Sequence, residues 1–267
     1  MKKVMTLGVL VFVLIAVTPL AWADDAAEAL MNESHQAYYY AADGGSARVT
    51  MVLTDKKGRT RNREFWMLRR DVEDMGDQRY YTYFIKPADI SRTAFLVHKN
   101  AAGNDDRWLY MPSLDLVKRI AADDRRTSFV GSDFTYEDVS GRLPILDTHE
   151  IIGADTALGR SATKVKSTPK DPKTADYAYR VTWVDDATKL SLREEYYDKN
   201  DVEVRLFEVG KIETIDGIPT AVERTMSDLK GNHSTTISFA EISYAAPLDA
   251  DEFNERLLRN APSAYTR

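Results

Sequence analysis

The sequence predicts a mainly β protein built around one meandering antiparallel sheet that curls. From residue 47 onward, apolar side chains recur with period two in short runs, and turn-forming pairs separate the runs at close spacing. About eleven such runs in one meander curl rather than lie flat. Several runs are also apolar on both faces. In 64–69, Trp66 and Leu68 share one face while Phe65 and Met67 share the other. A sheet with one wet face alternates more cleanly, so something covers the second face: helices, a partner or a ligand.

Residues 1–23 read as an export signal rather than as fold. Lys2 and Lys3 precede an apolar run from Val4 to Val17, and Ala21-Trp22-Ala23 forms a small-x-small cleavage site. The run is short for a membrane span, which needs ~20 residues. Cleavage after Ala23 leaves residues 24–267 as one exported, periplasmic domain and moves the net charge from −6 to −8. The acidic balance argues against a nucleic-acid partner. The absence of cysteine excludes disulfides, thiolate metal sites and a cysteine nucleophile.

The mature chain opens with a helix over 24–40, rich in Ala, Leu and Met, which Ala42-Asp43-Gly44-Gly45 ends. Strands follow at 47–54 and 60–70, joined by the turn Asp55-Lys56-Lys57-Gly58, and then at 78–86, 93–99, 107–111 and 116–120. Residues 121–144 carry charge, Gly131, Gly141 and Pro144, and read as turns with one or two short helices. Strands resume at 148–153, 160–167, 177–185, 191–198, 202–215, 218–228 and 233–244, separated by turns such as Asp216-Gly217 and Lys230-Gly231-Asn232. A closing helix is expected over 248–258, with Asp249 near its start.

No strong catalytic constellation emerges, and no cofactor or metal site is expected. No two of His35, His98, His149 and His233 stand at a metal-ligand spacing. Ser132, in Gly131-Ser132-Asp133, lacks the flanks of a nucleophile elbow. Asp105-Asp106 and Asp123-Asp124 lack the alternating spacing of a calcium loop. The many aromatics of the first half are either plain core, the ordinary role of large side chains, or the lining of a ligand cavity.

One stretch carries a resemblance. It runs from Phe84-Ile85-Lys86-Pro87-Ala88-Asp89-Ile90 through Thr93-Ala94-Phe95-Leu96 and Asp105-Asp106-Arg107-Trp108-Leu109-Tyr110-Met111-Pro112. It then passes Lys118-Arg119-Ile120 and closes with Ser128-Phe129-Val130-Gly131-Ser132-Asp133-Phe134-Thr135-Tyr136-Glu137-Asp138. This run resembles the outer-membrane lipoprotein-sorting proteins, the broad LolA-like group rather than the classical carrier. The strand count and final helix extend the likeness over nearly the whole mature chain. Where the family pattern usually has Gly before Thr93, this chain has Arg92.

The resemblance implies an incomplete β-barrel, a curved antiparallel sheet with helices packed in its concave face and an apolar cavity for acyl chains between them. It implies carriage rather than catalysis. Trp66, Tyr83, Phe84, Phe95, Trp108 and Tyr110 are then expected to line the concave face or pack beneath it. Phe129, Phe134 and Tyr136 are expected on the helical lid or its hinge, with Ser132, Asp133 and Asp138 ordering that segment.

The leading expectation is a periplasmic carrier or acceptor of lipoprotein or lipid acyl chains, which receives its load from an inner-membrane transporter and passes it to an outer-membrane acceptor. A non-catalytic envelope interaction module, accessory to a membrane transporter, is the second. An exported hydrolase using His149 with Asp147 or Glu150 is the third.

Overall fold

The computed structural model describes residues 21–266, so most of the expected export segment, residues 1–20, lies outside the described residues. Among the described residues thirteen strands form a single antiparallel sheet, in the order β6-β5-β4-β3-β2-β1-β13-β12-β11-β10-β9-β8-β7. The first half comprises β1 (Gly44–Thr54), β2 (Thr60–Asp71), β3 (Gln78–Lys86), β4 (Ala94–Lys99), β5 (Asp106–Met111) and β6 (Leu116–Ile120). The second half comprises β7 (Asp147–Ala157), β8 (Arg160–Pro169), β9 (Tyr179–Asp185), β10 (Ser191–Tyr197), β11 (Glu203–Ile215), β12 (Ile218–Asp228) and β13 (His233–Ser243).

The two meanders join where β1 pairs with β13, Met51 opposite Ile237. β6 and β7 are unpaired edges, so the curved sheet is an incomplete barrel. All thirteen runs read along the sequence, 116–120 included, take a place in the ladder, two more than the round figure of about eleven.

Local chemistry sets the registers. In the β1–β2 turn the Asp55 carboxylate accepts from the backbone N–H of Lys57 at 2.8 Å and of Arg59 at 3.1 Å, an Asx turn that aligns Val49 with Phe65. Arg92 holds φ +68 and its N–H donates to Phe84 O at 2.8 Å. The tight turn is therefore made by an arginine in the left-handed region, where glycine fits without strain.

Alternation sorts the first half into two faces. Val49, Met51, Phe65, Tyr80, Phe84, Phe95 and Val97 share the concave cluster, while Leu68, Tyr81, Ala94 and Leu96 share the convex one.

Each face has its own cover. The convex face of β2–β5 lies under the C-terminal segment, where Phe253 and Leu258 are each 1% exposed and each contributes roughly 1.5–3 kcal/mol by burial. The expected single helix over 248–258 is two pieces, a 3-10 turn at Ala250–Glu252 and α3 (Glu255–Arg259). Phe253 leaves helical geometry (φ −75, ψ 69) as its ring enters the core, and Asn254 caps the restarted helix through the N–H of Arg256.

Two other segments fill the concave face. The first is α1 (Ala21–Tyr39), whose positions Ala27, Met31, Ser34, His35 and Tyr38 fall on one helical stripe. Ala27 and Met31 pack on Val165 of β8 and Val184 of β9. The second is the crossover over 121–146, which carries the chain from edge β6 to edge β7 and holds α2 (Tyr136–Ser140). No described helix is long and apolar enough to cross a membrane.

Candidate functional site

Between α1, the crossover and the concave face lies a cavity of ≈130 Å³. Its apolar wall comes from Met51, Phe65 and Met67 of the first half, Phe129 and Phe134 of the crossover, and Phe207, Met226, Ile237 and Phe239 of the second. Its polar wall comes from Ser34, His35, Tyr38, Tyr177, Arg180, Glu194, Arg205 and Arg224. The space is smaller than the ~300–1,000 Å³ of ordinary small-molecule sites. A ligand of ordinary size enters this space only when α1 or the crossover moves aside.

The crossover closes the cavity through a tight turn. Phe129 N–H donates to Phe134 O at 2.7 Å and Ser132 N–H to Phe129 O at 3.0 Å. Val130 and Gly131 at its tip both have positive φ, +50 and +77. A β-branched residue in that region is strained and persists only when its surroundings over-determine it. Three sets of contacts do so. Arg63 of β2 donates to Val130 O. Ser132 Oγ donates back to Phe129 O at 2.7 Å. Asp133, whose side chain is 6% exposed, is latched to β13: its N–H donates to Thr235 Oγ1 at 3.0 Å, and its carboxylate accepts from Thr235 Oγ1 at 2.6 Å and from His233 Nδ1.

Farther along, Thr135 and Asp138 form a capping box at the start of α2, and Asp138 also accepts from Arg205 Nη2 at 2.5 Å. Burial opposes the charge on Arg205, but Asp138, Tyr196 and Asp176 outweigh it and hold its pKa above the ordinary value. Arg142 ties the far end of the crossover to the root of β7, bidentate to Asp147 at 2.7–3.2 Å, with side chains 4% and 0% exposed.

Helix α1 is held differently. It has no basic residue in its own last turn, and Arg69 of β2 supplies the cation instead, donating to Tyr39 O and Ala42 O. Gln78 Nε2 adds a bond to Tyr39 O at 2.8 Å. Along the rest of the helix, Ser34 Oγ meets Ser191 Oγ at 3.0 Å, and the other contacts are mainly apolar. The helix is thus anchored at its C-terminal end.

The structure separates the aromatics singled out by sequence. Phe84, Phe95, Phe129, Phe134 and Tyr136 meet in the concave cluster, with ring centroids 5.3 Å apart for Phe95–Phe129 and 5.0 Å for Phe95–Tyr136. Phe129 and Phe134 line the cavity, and the other three pack behind them. Trp66, Tyr83, Trp108 and Tyr110 lie on the convex face under the C-terminal segment, where Trp66 meets Tyr265 edge-on at 5.2 Å.

The polar wall escaped sequence reasoning altogether. Its one signal is parity, and only in part: Arg205 shares a strand face with Phe207, and Arg224 with Met226, whereas Arg180 shares its face with Thr182 and Val184 and carries no such mark.

The histidines are taken up structurally or face the cavity. His149 Nε2 donates to Pro144 O at 2.9 Å, so Nδ1 accepts from Ser167 Oγ at 2.8 Å, and burial first of all lowers its pKa. Both ring nitrogens are thereby occupied, and the Asp147 carboxylate is paired with Arg142. His98 Nε2 donates to Phe253 O at 2.6 Å. His35 borders the cavity, its pKa held well below the ordinary value by burial and then by Lys99 and Arg180. Among the described residues no group of three or more His, Asp or Glu is placed to hold a metal ion.

A family model described as "Uncharacterized protein" matches residues 76–260. No curated protein matches the chain. Among solved structures, a DUF1329 family protein from Desulfovibrio piger is 26% identical with TM-score 0.81, covering 88% of this chain and 99% of its own. A domain named for outer membrane lipoprotein sorting, from Vibrio parahaemolyticus, is 24% identical with TM-score 0.80 over the same shares. A LolA superfamily protein from Nitrosomonas europaea, 13% identical, has TM-score 0.66 and covers 86% of this chain and 98% of its own.

Proposed function

Because the chain belongs to the family whose model spans most of its length, and to the broad LolA-like group by its fold, we propose that it is a periplasmic carrier or acceptor for the acyl chains of lipids or lipoproteins. On this reading residues 24–267 act as one domain, an inner-membrane transporter loads it and an outer-membrane acceptor unloads it. The protein performs no covalent chemistry.

One observation carries the reading. The concave face of the sheet is filled by two segments, α1 and the crossover, that pack apolar side chains on it beside a small set of polar latches. Burying hydrocarbon is worth ~0.8 kcal/mol per CH₂, so an acyl chain replaces such contacts at little net cost. The chain enters as the crossover lifts and leaves as it returns. Phe84, Phe95, Phe129, Phe134 and Tyr136 form the lining or its backing. Trp66, Tyr83, Trp108 and Tyr110 hold the convex cover in place.

The test is native mass spectrometry, with lipid extraction, of the exported chain purified without detergent from membrane-containing cells. Lipid or acylated protein near one per chain supports the reading and identifies the cargo class. An empty protein that also refuses added lipid overturns it.

A second reading rests on a different surface. Edge strand β7 exposes Ile151 and Ile152, about two-fifths each, and the following turn exposes Leu158. An exposed apolar edge suits an envelope module that docks a membrane transporter by strand pairing. Stable capture of that partner by a chain with an empty cavity favours this second reading.

A further inference from the structure

We propose that the cavity binds the head of its ligand as well as the tail: the polar wall formed by His35, Tyr177, Arg180 and Arg224 is a site for a singly charged oxyanion headgroup on a long-chain amphiphile. The proposal rests on the carrier reading and names the class of ligand.

Unpartnered donors point to it first. His35, Tyr177 and Arg180 are each 9% exposed. The His35 Nε2, Tyr177 hydroxyl and Arg180 Nε are buried with no hydrogen-bond partner among the described residues, and all three side chains line the cavity. Native proteins pair their buried polar atoms, and each exception calls for an account. Three donor-capable groups around one space fit a ligand rich in acceptors.

Charge points the same way. Arg180 faces Glu194 at 3.4 Å, and Glu194 also accepts from the Tyr196 hydroxyl. Arg224 has no carboxylate partner among the described residues. Its guanidinium lies 4.4 Å from the Tyr38 ring centroid and 4.6 Å from that of Phe239, and its one hydrogen bond among the described residues goes from Nε to Ala221 O at 3.1 Å. Burial depresses the basicity of His35, which leaves the imidazole neutral. This wall therefore carries one cation in excess, held between two rings with the outer guanidinium nitrogens unspent. A carboxylate or phosphate oxygen pair is the group that a guanidinium binds bidentately. The apolar wall of Met51, Phe65, Phe129 and Phe134 lies across the same cavity and receives the tail.

The test measures binding of palmitate, its neutral methyl ester and a lysophosphatidylglycerol to the exported chain by isothermal calorimetry. The anionic probes are expected to bind about tenfold or more tightly than the ester, the worth of one charge-assisted hydrogen bond. Arg224→Met is expected to erase that preference while leaving ester affinity unchanged. Tyr177→Phe is expected to weaken the anions alone, by about tenfold or more for one lost bond to a charged group. Thermal unfolding of each variant verifies that it is folded. Preference for palmitate assigns the head as a carboxylate, and preference for the lysolipid assigns it as a phosphate ester. Equal affinity of ester and anions in the parent chain, or a preference that survives Arg224→Met, overturns the headgroup site and leaves the carrier reading standing. A parent chain that binds none of the three overturns both.

Discussion

Replacing Thr235 by valine tests whether the crossover is a lid. Thr235 is fully buried, and its hydroxyl makes two bonds to Asp133: it accepts from the N–H at 3.0 Å and donates to the carboxylate at 2.6 Å. Valine keeps the shape, so no void forms and only the two bonds are lost. A neutral bond is worth about 0.5–1.5 kcal/mol net and one to a charged group about 1.5–3. His233 still reaches the carboxylate and recovers part of this, so the latch weakens by about 2 kcal/mol. That corresponds to an open population about thirtyfold larger.

Hydrogen exchange and the uptake rate of a fluorescent fatty amphiphile provide the readouts. Amides of 128–136 are expected to lose protection selectively, while β2–β4 keep theirs. Uptake is expected to accelerate by up to the same thirtyfold where opening limits the rate. If Thr235→Val lowers the unfolding temperature yet leaves both the exchange of 128–136 and the uptake unchanged, the crossover is fixed core and the lid argument fails.

Two further outcomes follow from buried or strained residues. Burial pushes the Lys99 ammonium down to about 8, with Asp105 only partly offsetting it. Between about pH 8 and the ordinary lysine value, the unfolded chain binds more of this proton than the native chain. This group's contribution to stability therefore rises with pH there, by up to about 1.4 kcal/mol per pH unit. Above about pH 10, tyrosines such as Tyr80, raised by burial, act in the opposite direction. The urea midpoint is expected to climb from pH 8 to about 9.5, and Lys99→Met to flatten that climb; a parent profile already flat refutes the account. Arg92→Gly relieves the left-handed arginine at an exposed position. It is expected to stabilise by about 0.5–1 kcal/mol after glycine's extra unfolded-state entropy is counted. The melting temperature then rises by about 1–4 °C, and a fall shows that the turn carries no such strain.

Much of the architecture was legible because its determinants are local. Alternation and turn residues located nearly every strand, and the Asp55 turn set its own hairpin. The run from Ser128 to Asp138, singled out through family resemblance, forms the turn and capping box that close the cavity. Errors came where packing overrode propensity. The closing helix breaks at Phe253 because that ring is worth more in the core than on a helical surface. Trp66, Tyr83, Trp108 and Tyr110 were grouped with Phe84 and Phe95, yet they belong to the opposite face. Arg180, between Tyr179 and Val181, reads as a surface residue until its strand is placed under α1.

Taken alone, the sequence determined a β-meander of short strands with apolar residues on both faces. Period two and turn chemistry act over a few residues and need no distant partner. Only the tertiary structure decided which face is concave and what fills it. Period two defines two faces without labelling either, and a one-residue slip exchanges them. The labels come from contacts between remote segments: Ser34 with Ser191, 157 residues apart, and Asp133 with Thr235, 102 apart. Those contacts set α1 and the crossover inside the curve, the C-terminal segment outside it, and the arginines of β9 and β12 against a cavity that no stretch of chain encodes by itself.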